Sequence, residues 1–421
     1  MPRPSQSPVS ELAGSDHVNS HSHLPRLRIR RCTATNAAGT GNDAFLDALR
    51  ERRSGLAPCE FLDADLDTYV GRVDGLETMP WPAEWAAWDC RNNRLAWLGL
   101  EQDGFVAAVD DAVKRFGVHR VGVVLGTSTS GILHTELAFR ERDPQTGRLP
   151  TPLHYATTHE LSSAPRFVRE RLGLKGPMYA ISTACSSSGK VFASAQRLIG
   201  SGICDAVVVG GVDTLCLTTL YGFSSLELTA PEPCRPGDPE RSGISIGEAA
   251  GFALVEADTD DADDLCVFGV GESVDAYHMS TPHPDGVGAE LAMRRALEAA
   301  EMSADAIDYV NLHGTASRVN DAAEDRALEA VFGAGQVCSS TKGWTGHTLG
   351  AAGITEMVIG ALAVEHGFVP GTLNTRQVDP AFSADYRLEN RAGRPTRVLS
   401  NSFGFGGNNC SLLLGRKEGV A

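Results

Sequence analysis

Two stretches of this chain, 158 residues apart when their Ser-Thr pairs are superposed, are written on one plan. Met178 to Ser182 is a short apolar run, read as a buried strand, that stops at Thr183 and the thiol Cys185. Behind it Val191, Phe192, Ala195, Leu198 and Ile199 recur at helical spacing up to Gly200 and Gly202. Gln336 to Ser340 is a second such run, ending in Ser340-Thr341. Past a glycine-rich corner, Ile354, Met357, Val358, Ala361 and Leu362 give another helix that stops near Gly367. Two copies of one strand-corner-helix unit predict two similar α/β halves packed together, with a site between them drawing on several corners.

The rest of the chain supplies the other layers. Leu27 to Thr33 reads as a strand, Asp43 to Arg53 as a helix, Asp89 to Phe116 as largely helical, and Arg120 to Gly126 as a buried strand followed by the loop Thr127 to Gly131. Ala206 to Val209 is a further strand, closed by Gly210-Gly211. The apolar-poor stretch Asp258 to Asp264 marks a turn between halves. The expected organisation is a disordered tail over residues 1–25, a first half over 26–260 carrying the thiol, and a second over 261–421 carrying two histidines. His17, His21 and His23 have no carboxylate or cysteine fixed near them by a folded element, so they read as tail and not as a metal site.

At 42% hydrophobic and 21% charged over 421 residues, there is ample material for a large core. The ten cysteines show no C-x-x-C pair and no Cys/His spacing of zinc type, which suits reduced thiols in a cytoplasmic protein without a metal. No membrane-length apolar run and no signal-peptide core are read in the sequence. A net charge of -16 argues against nucleic acid and against an anionic membrane surface. An acidic protein partner would need only a local basic patch. Arg91 with Arg94, Arg140 with Arg142, and Arg166 with Arg169 and Arg171 are candidates, each alternatively a solvated surface.

Cys185 at a strand-to-helix corner meets unpaired backbone N–H groups and the positive end of a helix dipole, which favour a thiolate and could hold an oxyanion. Three glycine-flanked segments supply partners. Asn311-Leu-His-Gly-Thr-Ala-Ser317 puts His313 on a loop after a strand spanning 307–311. Ser340-Thr-Lys-Gly-Trp-Thr-Gly-His347 puts Lys342 and His347 around the second-half helix start, with Glu356 further along. Asn401-Ser-Phe-Gly-Phe-Gly-Gly-Asn-Asn409 presents Phe403 and Phe405 on a glycine-rich turn. Each is weak alone; one thiol, two histidines, a lysine and an N–H turn together point to chemistry.

These motifs, with Leu349-Gly-Ala-Ala-Gly353, resemble the β-ketoacyl-acyl carrier protein synthases, condensing enzymes of the thiolase-like superfamily, over residues 115–415. The two histidines match the elongating branch, as does Asp275-Ala-Tyr-His-Met279. The resemblance implies a duplicated αβαβα layered fold, usually dimeric, and a Cys-His-His mechanism. Cys185 is acylated by an acyl carrier protein, its oxyanion held by the N–H groups of Cys185 and Phe405. His313 and His347, as neutral imidazoles, donate Nε2 hydrogen bonds to the malonyl thioester carbonyl as carbon dioxide leaves. Lys342 and Glu356 match a charged pair beneath the site, Thr315 and Ser317 the hydroxyls that hold the pantetheine arm, and Phe405 a gate between pockets. Thr129 falls where the family places a residue at the base of the acyl pocket; its hydroxyl either suits an unsaturated or polar-tipped chain or is satisfied by backbone within its loop. No cofactor is implied, since 4'-phosphopantetheine arrives on the carrier. The second subunit is either this chain or a chain-length-factor-like partner.

There are departures. The N-terminal hundred residues match poorly, without the family's opening strand and glycine turn. Cys234-Arg-Pro-Gly-Asp238 has glycine for an aromatic, Gly247-Glu-Ala-Ala250 alanine for glycine, and Asn408 replaces threonine. Trp88 to Trp97 is similar to condensing enzymes of aryl polyene clusters. A non-catalytic chain-length factor usually lacks the thiol, a thiolase carries a second cysteine that Cys410 does not match, and no G-x-S-x-G elbow supports a serine hydrolase.

Overall fold

The computed structural model describes residues 24–150, 153–259 and 264–417. The histidines of the tail and residues 260–263 of the expected inter-half turn lie outside these. Eleven strands form the path of one sheet: β1 (Leu27–Asn36), β2 (Val121–Gly126), β3 (Met178–Ile181), β4 (Ala206–Asp213), β5 (Ala249–Ala257), β6 (Leu265–Val274), β7 (Tyr309–Asn311), β8 (Val337–Ser339), β9 (Asp385–Tyr386), β10 (Arg397–Gly404) and β11 (Asn408–Arg416). Their order is β9-β8-β7-β10-β11-β6-β1-β5-β4-β2-β3.

That order is the predicted duplication made visible. In the first half β2 pairs in parallel with β3 and β4, and β5 runs antiparallel to both β4 and β1. In the second half β7 pairs in parallel with β8 and β10, and β11 runs antiparallel to both β10 and β6. The halves meet where β1 and β6 pair over two residues each, Leu27 with Val267 and Arg28 with Cys266. The Ser-Thr pairs of the repeat sit at the ends of the equivalent strands β3 and β8.

Helices α1 (Gly41–Glu51), α2 (Arg91–Leu100), α3 (Phe105–Phe116), α4 (Ser187–Gly200), α5 (Leu217–Ser225), α6 (Val287–Ala300), α7 (Arg318–Phe332) and α8 (Ala352–His366) complete the frame. The repeat helices α4 and α8 pack on each other and on strands of both halves; α2 and α3 cover the first half, α6 and α7 the second. This is the layered αβαβα arrangement. Val191, Phe192, Ile354, Met357 and Val358 sit in one core with strands of both halves. The helices cross at Gly189 and Gly353: a Cβ added at Gly353 would lie 2.5 Å from the Gly189 nitrogen, so only hydrogen fits.

Several expectations need correcting. Met178–Ile181 is not buried, because β3 ends the sheet and its other edge is open. Strand β4 runs through Gly210-Gly211 to Asp213 instead of stopping there, since a Cβ at Gly210 would press on the β5 backbone that pairs with it. The opening strand is present: β1 lies at the sheet centre and turns into a short hairpin at Gly39–Thr40. Leu349–His366 is helical, long and apolar enough to match a membrane span, yet almost all of it is buried in this protein. Its apolar character serves a central helix covered on every side. Gly237, where an aromatic was expected, faces the ring of Tyr386, 2.7 Å from where a Cβ would sit, so another chain position fills the space.

Candidate active site

Strand β3 ends at Ile181 and α4 begins at Ser187, and the corner between them carries the thiol. Ala184 adopts φ +52°, a conformation costly for a residue with a Cβ. Neighbouring hydroxyls hold it: Ser187 Oγ accepts from Thr183 N at 2.9 Å and donates to Ala184 O at 2.5 Å. The resulting turn presents Cys185 at the floor of a cavity of about 440 Å³, with the thiol almost fully buried.

The second-half corner brings His347 to it. A short helix over Lys342–Thr345 ends at Gly346, φ +69°, and the His347 backbone is clamped: its N–H donates to Ser245 O at 2.7 Å and its carbonyl accepts from Gly247 N at 2.9 Å. Nε2 of His347 then lies 2.9 Å from Sγ of Cys185. The His313 ring stands edge-on to it, centroids 5.2 Å apart at 82°, and 5.8 Å from the Phe403 ring. One donor atom each from Cys185, His313 and His347 lies within 4.8 Å of the others.

Electrostatics correct one expectation. Burial pushes the Cys185 thiol up to about 12; the Lys342 charge and the Phe405 N–H pull it down without reversing that. The resting sulfur is a thiol, not the thiolate that the helix terminus alone suggests. Burial holds both imidazoles well below the ordinary histidine value, and the Lys342 charge pushes the same way. They are therefore neutral at pH 7, as expected. Beneath them Lys342 Nζ donates to Glu356 Oε1 in a pair that is almost wholly buried. Burial raises Glu356 while Lys342 opposes the rise.

The cavity wall also carries Thr315, Ser317, Phe403, Phe405 and Phe223 of α5, whose ring is 5.5 Å from that of Phe405. Thr315 Oγ1 donates to Ser317 Oγ at 3.1 Å. Gly404 brings the Phe405 turn against the nucleophile corner, where an added Cβ would sit 2.6 Å from Thr183 O.

Thr129 is not brought to the cavity. Its N–H and hydroxyl both donate to buried Asp213, at 3.0 and 2.9 Å, alongside Thr127 Oγ1 and Gly350 N at 2.7 Å each. The hydroxyl that suggested a polar acyl pocket is occupied by the carboxylate that ties β2, β4 and the approach to α8. The arginine patches fare similarly. Arg91 is buried against Glu248 and Glu77, and Arg94 pairs with Asp89. Arg140 pairs with Asp63, Arg166 with Glu160, Arg169 with Glu170 and Arg171 with Glu101. Of these sets only Arg142 forms no ion pair among the described residues.

Glu324 on α7 escaped the sequence reading. Its carboxylate accepts from His313 N and Gly314 N at 2.8 Å each and from Asn401 Nδ2 at 3.1 Å, fixing the histidine loop to the helix behind it. Burial pushes it up to about 7. The available signal was a carboxylate one helical turn beyond Asp321, on the face that must meet the loop.

A buried thiol facing two neutral imidazoles lies at the junction of a duplicated α/β body, the arrangement that the resemblance to condensing enzymes implies. The comparisons agree. Residues 93–261 match the family description "Beta-ketoacyl synthase, N-terminal domain" and residues 266–376 "Beta-ketoacyl synthase, C-terminal domain". The chain is 33% identical to Nodulation protein E of Rhizobium meliloti (strain 1021), over 89% of this chain and 95% of that protein. It is 36% identical to 3-oxoacyl-[acyl-carrier-protein] synthase 2 of the same organism, over 71% and 74%. Among solved structures, it is similar to a complex of a ketosynthase with its chain length factor from Xenorhabdus doucetiae. That match has 36% identity, a TM-score of 0.85, and covers 94% of this chain and 100% of that one.

The chain belongs to the β-ketoacyl synthase family. It is a β-ketoacyl-acyl carrier protein synthase, an acyltransferase that condenses malonyl-carrier protein with an acyl group and so lengthens the chain by two carbons.

Proposed function

We propose that Cys185 carries the acyl group and that His313 and His347 drive the decarboxylation. The observation that carries this assignment is the 2.9 Å contact of His347 Nε2 with Cys185 Sγ, His313 beside it, in one buried cavity. In the first half-reaction Sγ attacks the acyl thioester, and the thiol proton passes to the departing carrier sulfur, which leaves as the thiol. The developing oxyanion lies near the N–H groups of Cys185 and Phe405. In the second, the malonyl C–carboxylate bond breaks, carbon dioxide leaves, and its electron pair becomes an enolate held by Nε2–H groups of His313 and His347. Carbon attacks the acyl-Cys185 carbonyl, and the sulfur leaves as a thiolate that takes up one proton from solvent to restore the thiol. A neutral ring with its proton on Nε2 still donates to the carbonyl, so the depressed histidine values are compatible with the task.

Thr315 and Ser317 hold the pantetheine arm along the wall, Phe405 gates the cavity against Phe223, and Lys342 with Glu356 fixes the field beneath the rings. The protein acts in the cytoplasm as a dimer, paired through the open edge of β3. The likeness to a ketosynthase and chain length factor complex favours a chain-length-factor-like second subunit as the alternative to a second copy. The test is incubation with acyl- and malonyl-carrier protein, read by mass spectrometry. Wild type forms a 3-oxoacyl product. Equal product from Cys185→Ala removes the assignment, and the native mass of the purified complex decides the partner.

A further inference from the structure

Among the described residues lining the catalytic cavity, one carries a formal positive charge with both imidazoles neutral: Arg318. The wall residues that follow His313 become steadily more accessible, from His313 at 2% and Thr315 at 7% to half-buried Ser317 and exposed Arg318. That gradient runs from floor to mouth, and Arg318 is the exposed lining residue at its outer end. Its Nε donates to Arg241 O, and Arg241 Nη2 donates to Arg318 O, each at 3.3 Å, anchoring the residue at both ends. Its two Nη groups make no hydrogen bond or ion pair among the described residues. Most arginines of the candidate patches, by contrast, are neutralised by carboxylates. The anions on the same wall are Glu227 and Asp275, and Asp275 is already bonded to Asn409 Nδ2 at 2.7 Å and His283 N at 3.1 Å.

Arg318 is also the first residue of the fifteen-residue α7, capped by Ser317, whose side chain accepts from Asn320 N. The amides of Arg318 and Val319 have no partner within the helix. A forked cation beside free N–H groups at a helix start matches a phosphate oxygen triad.

We propose that Arg318, with the first turn of α7, binds the phosphate at the outer end of the pantetheine arm and sets the depth to which the thioester enters. This rests on the reading that the arm lies along Thr315 and Ser317. The arm's phosphate must remain at the mouth while the thioester reaches Cys185, and Arg318 is the one formal cation among the described lining residues.

The test compares malonyl-pantetheine with malonyl-4'-phosphopantetheine, which differ only in that phosphate. Wild type decarboxylates the phosphorylated thioester with kcat/KM higher by about tenfold, expressed in KM. In Arg318→Gln that ratio falls to about one, and Arg318→Lys, which keeps the charge and loses the fork, lies between. A wild type indifferent to the phosphate, or a ratio unchanged in Arg318→Gln, overturns the proposal. Calorimetry with phosphopantetheine and with inorganic phosphate gives the same contrast without turnover. If neither thioester reacts but phosphopantetheine binds through Arg318, the reaction assignment fails and this site stands. Inorganic phosphate binding as tightly as phosphopantetheine would make it a free-anion site and overturn the arm assignment.

Discussion

Lys342→Ala separates what the buried ion pair does for the fold from what it does for the reaction. The side chains of Lys342 and Glu356 are 2% and 4% exposed, and Glu356 Oε2 has no hydrogen-bond partner, so the alanine variant leaves a carboxylate enclosed with no cation. Breaking such a pair costs about 3–5 kcal/mol while the remaining group is charged. The pH dependence fixes the sign. Burial raises Glu356 above its ordinary value, and loss of Lys342 removes the influence that opposed the rise. A raised carboxyl gives stability that is present at low pH and lost as pH rises through its folded value. The variant therefore lies close to wild type at pH 5 and shows its full deficit at pH 8 in urea unfolding. The Lys342 charge also depresses His313 and His347, so its removal moves the acid limb of malonyl decarboxylation toward neutrality. A double variant, Lys342→Met with Glu356→Leu, restores most of the stability, because a packed apolar pair replaces two buried charges. Its acid limb stays displaced. A Lys342→Ala deficit that is equal at pH 5 and pH 8, together with an unmoved acid limb, would refute the reasoning.

Cys185→Ala loses condensation and keeps malonyl decarboxylation, since both enolate donors remain; mass spectrometry of the two products reads this directly. His313→Ala loses about 10²–10³ in the decarboxylation rate, the cost of one oxyanion donor, with release of labelled carbon dioxide as the assay. In wild type, decarboxylation persists below pH 6.5 because both rings stay neutral there. The same depression makes the rings' contribution to stability fall as pH drops below 6.5, where the unfolded chain takes up protons that the folded rings refuse. Urea unfolding of wild type against His313→Gln at pH 5 and pH 7 isolates it: the variant has the smaller acid loss.

The residues proposed to react were legible because each is announced by its own neighbours. A thiol after an apolar run and before a helical period, or a histidine set between glycines at a strand end, is a local pattern. The duplication that joins β3 to α4 and β8 to α8 was legible for the same reason. What local pattern does not carry is the partner across space. Thr129 was readable as a pocket hydroxyl or as one satisfied by its loop backbone, and its partner is instead the carboxylate of Asp213, 84 residues on. The arginine sets were readable as docking patches or as solvated surface, and neither reading names a partner such as Glu248, 157 residues from Arg91. Glu324 carried only a weak signal, its helical spacing from Asp321, because two of its partners are backbone N–H groups and the third, Asn401, lies 77 residues on. The thiolate expectation failed on magnitude: a helix terminus offers about 0.3–1 kcal/mol, and full burial of an ionising group outweighs it.

The crossing of α4 and α8 explains why a doubled fold produces a single site of unlike parts. The two helices meet where a Cβ at Gly353 would strike the Gly189 backbone, and Ile354 N donates to Ser188 Oγ at 3.0 Å across the crossing. That contact fixes the distance between the two helix starts. Each helix is preceded by the corner that follows its own strand, β3 or β8, so the two corners are held face to face. In the first copy the corner is tight and strained, and it ends in a sulfur. In the second it is longer, takes in the Lys342–Thr345 turn, and returns with His347 aimed at that sulfur. His313 comes from β7, next to β8, and Glu324 binds its loop from behind. The two halves share a backbone plan, and the chemistry arises from the residues by which their equivalent corners differ.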